Sequence, residues 1–245
     1  MIISSLENDK VKKYVRLKTK KYRDMEGLFL VEGFHLVEEA YKEDLIEEII
    51  LVEKEQCDYD LPIVTVTEEV MKKLTMMETP STIMALCHKK EMNSDFGSRL
   101  LLLDEIQDPG NLGTIIRSSK AFHVDTIVLG EKCCDLYNSK VLRSTQGMAF
   151  HTNIVVRNLH EIILELKKKN IPIYGTRVDG GMNSYALSEK QKEKFALVMG
   201  NEGNGVSEDI LNLCDQYLYI PMHQEVESLN VGVATSILLY ELDRR

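Results

Sequence analysis

Three short stretches carry the residue types that could do chemistry in this chain. "DPGNLGTIIR" sets Asn111, Gly113 and Arg117 in N-x-G-x-x-x-R spacing. "FALVMGNEGNGVSEDIL" places Gly200, Asn201, Glu202, Gly203 and Gly205 directly after an apolar run, and "IPMHQEVESLN" brings Ser228 and Asn230 to the start of the last apolar segment. Glycines let backbone N–H and C=O groups approach a ligand, while the amides, guanidinium, carboxylate and hydroxyl can orient it or oppose a developing charge. The glycine order is wrong for a dinucleotide fingerprint, and no Lys-Ser or Lys-Thr follows as a phosphate-binding P-loop requires. Each stretch also has a plain structural reading. Asn111 would cap a helix, Gly113 would permit close packing, and Arg117 would sit on the surface. Ser207 would be an N-cap with Glu208 and Asp209 favouring the helix dipole, Ser228 a further cap, and Asn230 an exposed first-turn residue. One such loop would be a turn; three at successive strand ends point to a ligand site.

The elements around these loops alternate in a way that supports this. From Leu100 onward, apolar strands ("RLLLLDEI", "DTIVLG", "NIVV", "IPIYGTRV", "FALVMG", "YLYIPM") are separated by helical or polar segments. Near-continuous apolar strands with intervening helices predict a parallel sheet covered on both faces, with ligands collecting beyond the carboxyl ends of its strands. "TIIRSSKAF", "NSKVLRSTQG", the stretch after Asn158, "SEDILNLC" and a segment from about Ser228 read as helices, and Asn158 with Glu161 suits a capping box. The front of the chain alternates on a smaller scale, "GLFLVEG", "IEEIILV", "LPIVTVT" and "STIMALCH" being strands and "FHLVEEAYKEDL" and "EEVMKKLT" helices. Residues 89–99 are polar and aperiodic, so the expected division is a small α/β domain over 1–92 and a larger one over 98–245.

Composition narrows the class. The chain has 245 residues, 44% hydrophobic and 28% charged, as expected of an ordinary globular protein. No apolar run has the length of a membrane span and no basic-then-apolar leader opens the chain. Five cysteines without C-x-x-C spacing suggest neither a disulfide framework nor a zinc site, and the six histidines show no ligand spacing, so no metal is expected and a reducing cytoplasm is. The net charge of −9 is unevenly spread: residues 10–23, "KVKKYVRLKTKKYR", hold eight of the 30 basic residues and none of the 39 acidic ones. Leu6, Val11, Tyr14, Val15 and Leu17 recur at helical spacing, so the run belongs on an amphipathic helix with Tyr14 packing inward. Lys12, Lys13, Arg16, Lys18, Lys20, Lys21 and Arg23 would then form a wide stripe, either docking on a polyanion such as RNA or merely solvating a helix face.

"NLGTIIR", "GNEGNGVSEDIL" and "IPMHQEVESLNVGVATSILLYE" resemble the three successive motifs of the SpoU (TrmH-type) RNA 2′-O-ribose methyltransferases of the SPOUT superfamily. "EGLFLVEG" and "TPSTIMA" resemble the small ribosomal-protein-like RNA-binding domain often fused ahead of them. The resemblance implies a deep trefoil knot in the C-terminal domain, S-adenosylmethionine bent inside it, and a homodimer formed through that domain. It implies cofactor contacts from Gly200, Ile220 and Leu229, largely through the main chain, with Thr176 and Met222 as further lining and Asn201 and Glu202 facing the reacting groups. Asn111, Glu202, Ser228 and Asn230 would position ribose and proton acceptor. Arg117 would act as a cation toward developing charge or a phosphate, because guanidinium keeps its proton in proteins. Ribosomal RNA, 23S in particular, is the expected substrate and transfer RNA the alternative. A non-catalytic RNA-binding or ribosome-assembly protein is the competing class, against which the intact motif residues weigh.

Overall fold

The computed structural model describes residues 2–91, 93 and 95–244. Two compact units emerge, and a single cut does not separate them: Met1–Glu91 joins Asp135–Phe150, while Met92–Cys134 joins His151–Arg245.

The first unit contains β1 (Ile2–Ile3), α1 (Asp9–Arg16), α2 (Lys20–Glu26), β2 (Leu28–Glu32), α3 (Phe34–Lys42), β3 (Ile46–Val52), β4 (Ile63–Val66), α4 (Glu68–Leu74) and β5 (Ile83–His88). Its mixed five-stranded sheet runs β1-β4-β3-β5-β2. The basic run forms two short helices instead of one. The turn after α1 tightens as Leu17 N donates to both Lys13 O and Tyr14 O, and α2 ends at Gly27, whose φ of 67° suits a left-handed cap. Val11, Tyr14 and Leu17 are buried against Leu28, Leu30, Ile50 and Leu74, as the helical spacing predicts. The stretch around α6 (Ser139–Thr145) belongs to this unit although it lies far along the sequence: Phe29 sits 4.6 Å from the Tyr137 ring and 6.0 Å from that of Phe150.

The second unit contains β6 (Arg99–Leu103), α5 (Pro109–Ala121), β7 (Thr126–Leu129), β8 (Asn153–Val156), α7 (Leu159–Lys168), β9 (Ile173–Thr176), β10 (Met182–Asn183), α8 (Glu189–Glu193), β11 (Phe195–Met199), α9 (Glu208–Leu211), β12 (Gln216–Tyr219) and α10 (Val231–Asp243). All pairings in its sheet, ordered β10-β12-β9-β11-β6-β7-β8, are parallel. β6 and β11 are buried at every position and pair side by side, so their apolar runs form the middle of the core. The chain steps outward from β6 to β7 and β8, then returns to the opposite side. The order therefore reverses between β6 and β11, the kind of place where loops diverge and leave a crevice.

Candidate active site

The crevice is built from three element ends. Beyond β6, Asp108 N-caps α5 by accepting from Asn111 N at 2.9 Å, with Pro109 as the first helical residue. Helix α5 thus begins five residues earlier than the apolar pattern alone suggests. Beyond β11, Asn201 and Gly205 exchange two backbone hydrogen bonds of 2.9 Å, and Gly205 takes φ 71° to close this tight loop. A Cβ on Gly200 would lie 2.0 Å from Gly205 C and Val206 N, so only glycine lets the loop fold back on itself. Beyond β12, the segment before α10 ends in Asn230, whose side chain accepts from Gly232 N at 2.9 Å and Val233 N at 3.3 Å. Asn230, not Ser228, is the N-cap.

These ends converge on one carboxylate. Glu202 Oε1 accepts from Asn111 Nδ2 and from Asp108 N, both at 3.0 Å, and its Oε2 accepts from Gln107 N at 3.3 Å. Asn230 Nδ2 in turn donates to Asn111 Oδ1 at 2.8 Å. Partial burial by itself would raise the Glu202 pKa, but the donors from Asn111 and the Asp108 and Gln107 backbone outweigh it and hold the pKa below the ordinary carboxylate range. With its folded pKa depressed, Glu202 stays ionised and its bonds persist above the usual carboxylate pKa of about 4.3. They are lost only as pH falls through the lower value. The arrangement is a fixed anion that orients two amides at the mouth of a crevice.

Beside it lies a cavity of about 760 Å³, within the size range of small-molecule sites. Its lining includes every residue expected at the cofactor: Thr176, Gly200, Asn201, Ile220, Met222 and Leu229, together with Glu202 and Ser228. Leu211, Leu218, Val231 and Leu238 supply apolar wall. Thr176 Oγ1 donates to Val198 O at 2.9 Å, tying the ends of β9 and β11 together. A lining that mixes apolar side chains with the carboxylates of Asp179, Glu202 and Glu208 suits S-adenosylmethionine, which joins an adenine ring to a cationic sulfonium.

Some expected roles change. Asn201 does not face outward; its Nδ2 donates to Glu105 O at 2.9 Å and its Oδ1 accepts from Gly203 N and Asn204 N at 2.9 and 3.1 Å, so the side chain braces its own loop. Ser207 precedes α9 without a side-chain cap bond and instead donates both N and Oγ to Asp104, at 2.8 and 2.6 Å. Arg117 is exposed on α5, away from the cavity lining, and its side chain makes no hydrogen bond or ion pair among the described residues. Ser228 is exposed on the lining and is likewise without a hydrogen bond among them. Residues that sequence reasoning missed are Asp108 and Gln107, whose backbone grips Glu202, and Arg177 and Asp179 on the cavity wall. The Asp-Pro step was a readable helix-start signal; nothing local marked the other three.

The basic run also divides. Arg23 is 5% exposed and is consumed structurally, pairing with Asp135 and donating to Leu17 O at 2.8 Å. Lys18 donates to Lys73 O at 2.8 Å and Thr75 O at 2.9 Å, closing the end of α4. Both leave the expected RNA-facing stripe, because their charges satisfy buried or terminal groups of the fold. Lys12 meets Glu7 at 2.9 Å, Lys13 meets Glu47 at 3.7 Å and Lys20 meets Asp24 at 2.6 Å, in exposed pairs of the weak, exchangeable kind. Arg16 and Lys21 flank the Tyr22 ring at 5.8 and 5.9 Å, without an ion pair among the described residues.

Known proteins share this design. Residues 98–240 match the SpoU rRNA Methylase family, and residues 8–85 match the MRM3-like substrate binding domain. The 23S rRNA (guanosine(2553)-2′-O)-methyltransferase RlmP of Bacillus subtilis (strain 168) is 42% identical, the alignment covering 98% of each chain. The structure of a putative RNA methyltransferase of the TrmH family from Porphyromonas gingivalis is similar with a TM-score of 0.86 at 30% identity, over 98% of this chain and 99% of that one. An AdoMet-bound rRNA methyltransferase from Sinorhizobium meliloti gives a TM-score of 0.86 at 25% identity, over 100% and 97% of the two chains. With three motif loops gathered at one crevice and a family match over residues 98–240, more than half of the chain, the chain belongs to the SpoU rRNA methylase family.

Proposed function

We propose that the chain transfers a methyl group from S-adenosylmethionine to a ribose 2′-hydroxyl of 23S ribosomal RNA, a guanosine ribose as in the Bacillus subtilis relative. The observation that carries this is the convergence of Asn111, Glu202 and Asn230 beside a cavity lined by residues 200, 220 and 229. End-to-end similarity to a 23S rRNA methyltransferase supports the choice of RNA. The cofactor, when bound, supplies an electrophilic methyl on a sulfonium.

The chain's own residues hold the hydroxyl in line and receive its proton. Alignment of this kind accounts for much of such a barrier. Glu202 Oε2, the less occupied of its two oxygens, is the hydrogen-bond acceptor for the ribose hydroxyl. Its depressed pKa is no obstacle: the hydroxyl becomes strongly acidic only as its oxygen bonds carbon, so a weak base suffices. Asn111 has one N–H engaged with Glu202 and its carbonyl engaged with Asn230, which leaves the second N–H for the ribose. Arg117, exposed and unpaired among the described residues, anchors an RNA phosphate near the site.

The finer architecture is part of the same proposal. The segments 200–206 and 220–230 form the threaded crossing of a deep trefoil knot, within which the cofactor lies bent. Residues 1–92 serve as a ribosomal-protein-like RNA-binding domain, and residues 98–245 form the catalytic domain. Two copies pair through the catalytic domain, where α10 exposes Val233 and Tyr240 at 46% and 52%. The enzyme works in the cytoplasm, where its substrate is made. Incubating the protein with labelled cofactor and, in parallel, 23S rRNA and transfer RNA from a strain lacking the gene is the test. One alkali-resistant ribose methyl in 23S rRNA is expected; a methyl on a base, or incorporation into transfer RNA alone, would overturn it.

A further inference from the structure

The cavity has an uneven charge balance. Asp179, Glu202 and Glu208 line it, and Arg177 is the single cation among its lining residues. A net acidic wall fits a ligand carrying a sulfonium and an ammonium, but such a ligand also carries a carboxylate, which needs one cation of its own.

Arg177 is exposed, and both its backbone and its side chain are tied to the cavity wall. Its backbone N donates to Leu218 O at 3.1 Å, extending the β9–β12 pairing by one residue. Its guanidinium carbon stands 4.2 Å from the centre of the Tyr217 ring. That ring is itself fixed: Tyr217 Oη donates to Leu211 O at 3.2 Å, and a Cβ on Gly175 would come within 3.1 Å of Tyr217 Cδ1. A guanidinium placed over a ring gives up no N–H donor to it, so its donors remain for a carboxylate partner. No carboxylate of the described residues pairs with it, although Asp179 is two positions away.

Resting on the cofactor reading above, we infer that Arg177, seated on Tyr217 at the cavity wall, is the anchor for the α-carboxylate of the cofactor's amino-acid arm. The guanidinium edge binds that carboxylate, while the acidic residues of the wall serve the positive groups of the same ligand. The recognition is separable from adenosine binding, which the loops at residues 200, 220 and 229 provide.

The test compares two ligands by calorimetry on the full chain: S-adenosylmethionine and its decarboxylated analogue, which keeps the adenosine, sulfonium and ammonium. Arg177→Gln should weaken S-adenosylmethionine about tenfold, as expected for one partly solvated charge-assisted contact, and leave the analogue's Kd unchanged. Arg177→Lys should restore part of the loss for S-adenosylmethionine only. Equal losses for both ligands would make Arg177 a packing group of the wall and overturn the inference. Unchanged affinities with weaker RNA binding would assign the guanidinium to a phosphate, and would overturn it as well. If the wild-type chain bound neither ligand, the cofactor reading itself would fall first, and the inference with it.

Discussion

The basic run of the first unit and the three loops of the second were both singled out by residue type, yet folding treats them oppositely. In the run, five of the seven charges expected to work together are taken up separately: Arg23 is buried with Asp135, Lys18 closes α4, Lys12 and Lys20 pair with the nearby Glu7 and Asp24, and Lys13 meets Glu47. In the loops, residues separated by about ninety to one hundred and twenty positions are drawn together, and Asn230, Asn111 and Glu202 form one hydrogen-bonded chain. Each of these charges finds its own acid or carbonyl, near in sequence for Lys12 and Lys20 and 112 positions away for Arg23, so the group is dispersed among separate partners. Convergence across a parallel sheet does the reverse, because the strand ends leave polar groups facing a crevice that no local partner fills.

The largest effect expected from breaking the loop side comes from Gly200. Gly200→Val should abolish binding of S-adenosylhomocysteine in calorimetry, because the added carbon meets the backbone of Gly205 and Val206 and opens the cavity wall. Retained helix and sheet signals in circular dichroism would localise the damage to the loop. Next comes Arg117→Ala, expected to reduce methyl transfer by about 10²–10³-fold while leaving cofactor affinity near wild type, since this exposed guanidinium lies off the cavity wall. Arg117→Lys should rescue little, an ammonium lacking the planar fork.

On the other side of the comparison, Asp135→Ala should destabilise the full chain by about 3 kcal/mol in urea titration, for it leaves the Arg23 charge buried without its partner. The smallest effect separates the charges still available for RNA. Neutralising Arg16 and Lys21 together should leave stability unchanged and reduce the slope of log K against log salt by roughly 1.5, as for two phosphate contacts. An unchanged slope would reduce Arg16 and Lys21 to a solvated face.

Much of this was legible because it is local. The apolar runs of β6 and β11 needed no partner to be read as buried strands, and Asn158 accepts from Glu161 N at 3.2 Å as its capping signature suggests. The elements missed are those with too few residues to show a period: β1 and β10 have two residues each, and α8 has five polar or charged ones. Where two cap-competent residues stand close together, as Ser228 and Asn230 do, local chemistry cannot choose between them. Asn111, over a hundred residues away, takes Asn230 as its donor. Ser207 is likewise drawn from capping α9 by Asp104 at the end of β6. Residues 135–150 read as part of the larger domain by sequence order, but Phe29 offers their aromatic rings a buried partner in the first unit. Long-range partners decide these cases, and a single sequence does not display them.

The claim that dispersed residues act as one reaction centre is tested most directly by a double-mutant cycle on Asn111 and Asn230, with single-turnover methyl transfer and cofactor affinity measured for each variant. Asn111→Ala and Asn230→Ala should each slow transfer by about 10²-fold, keep cofactor Kd within about threefold of wild type, and in combination be no slower than the worse single variant, because groups that work as a unit are not additive. Fully additive losses, or losses confined to cofactor Kd, would contradict it.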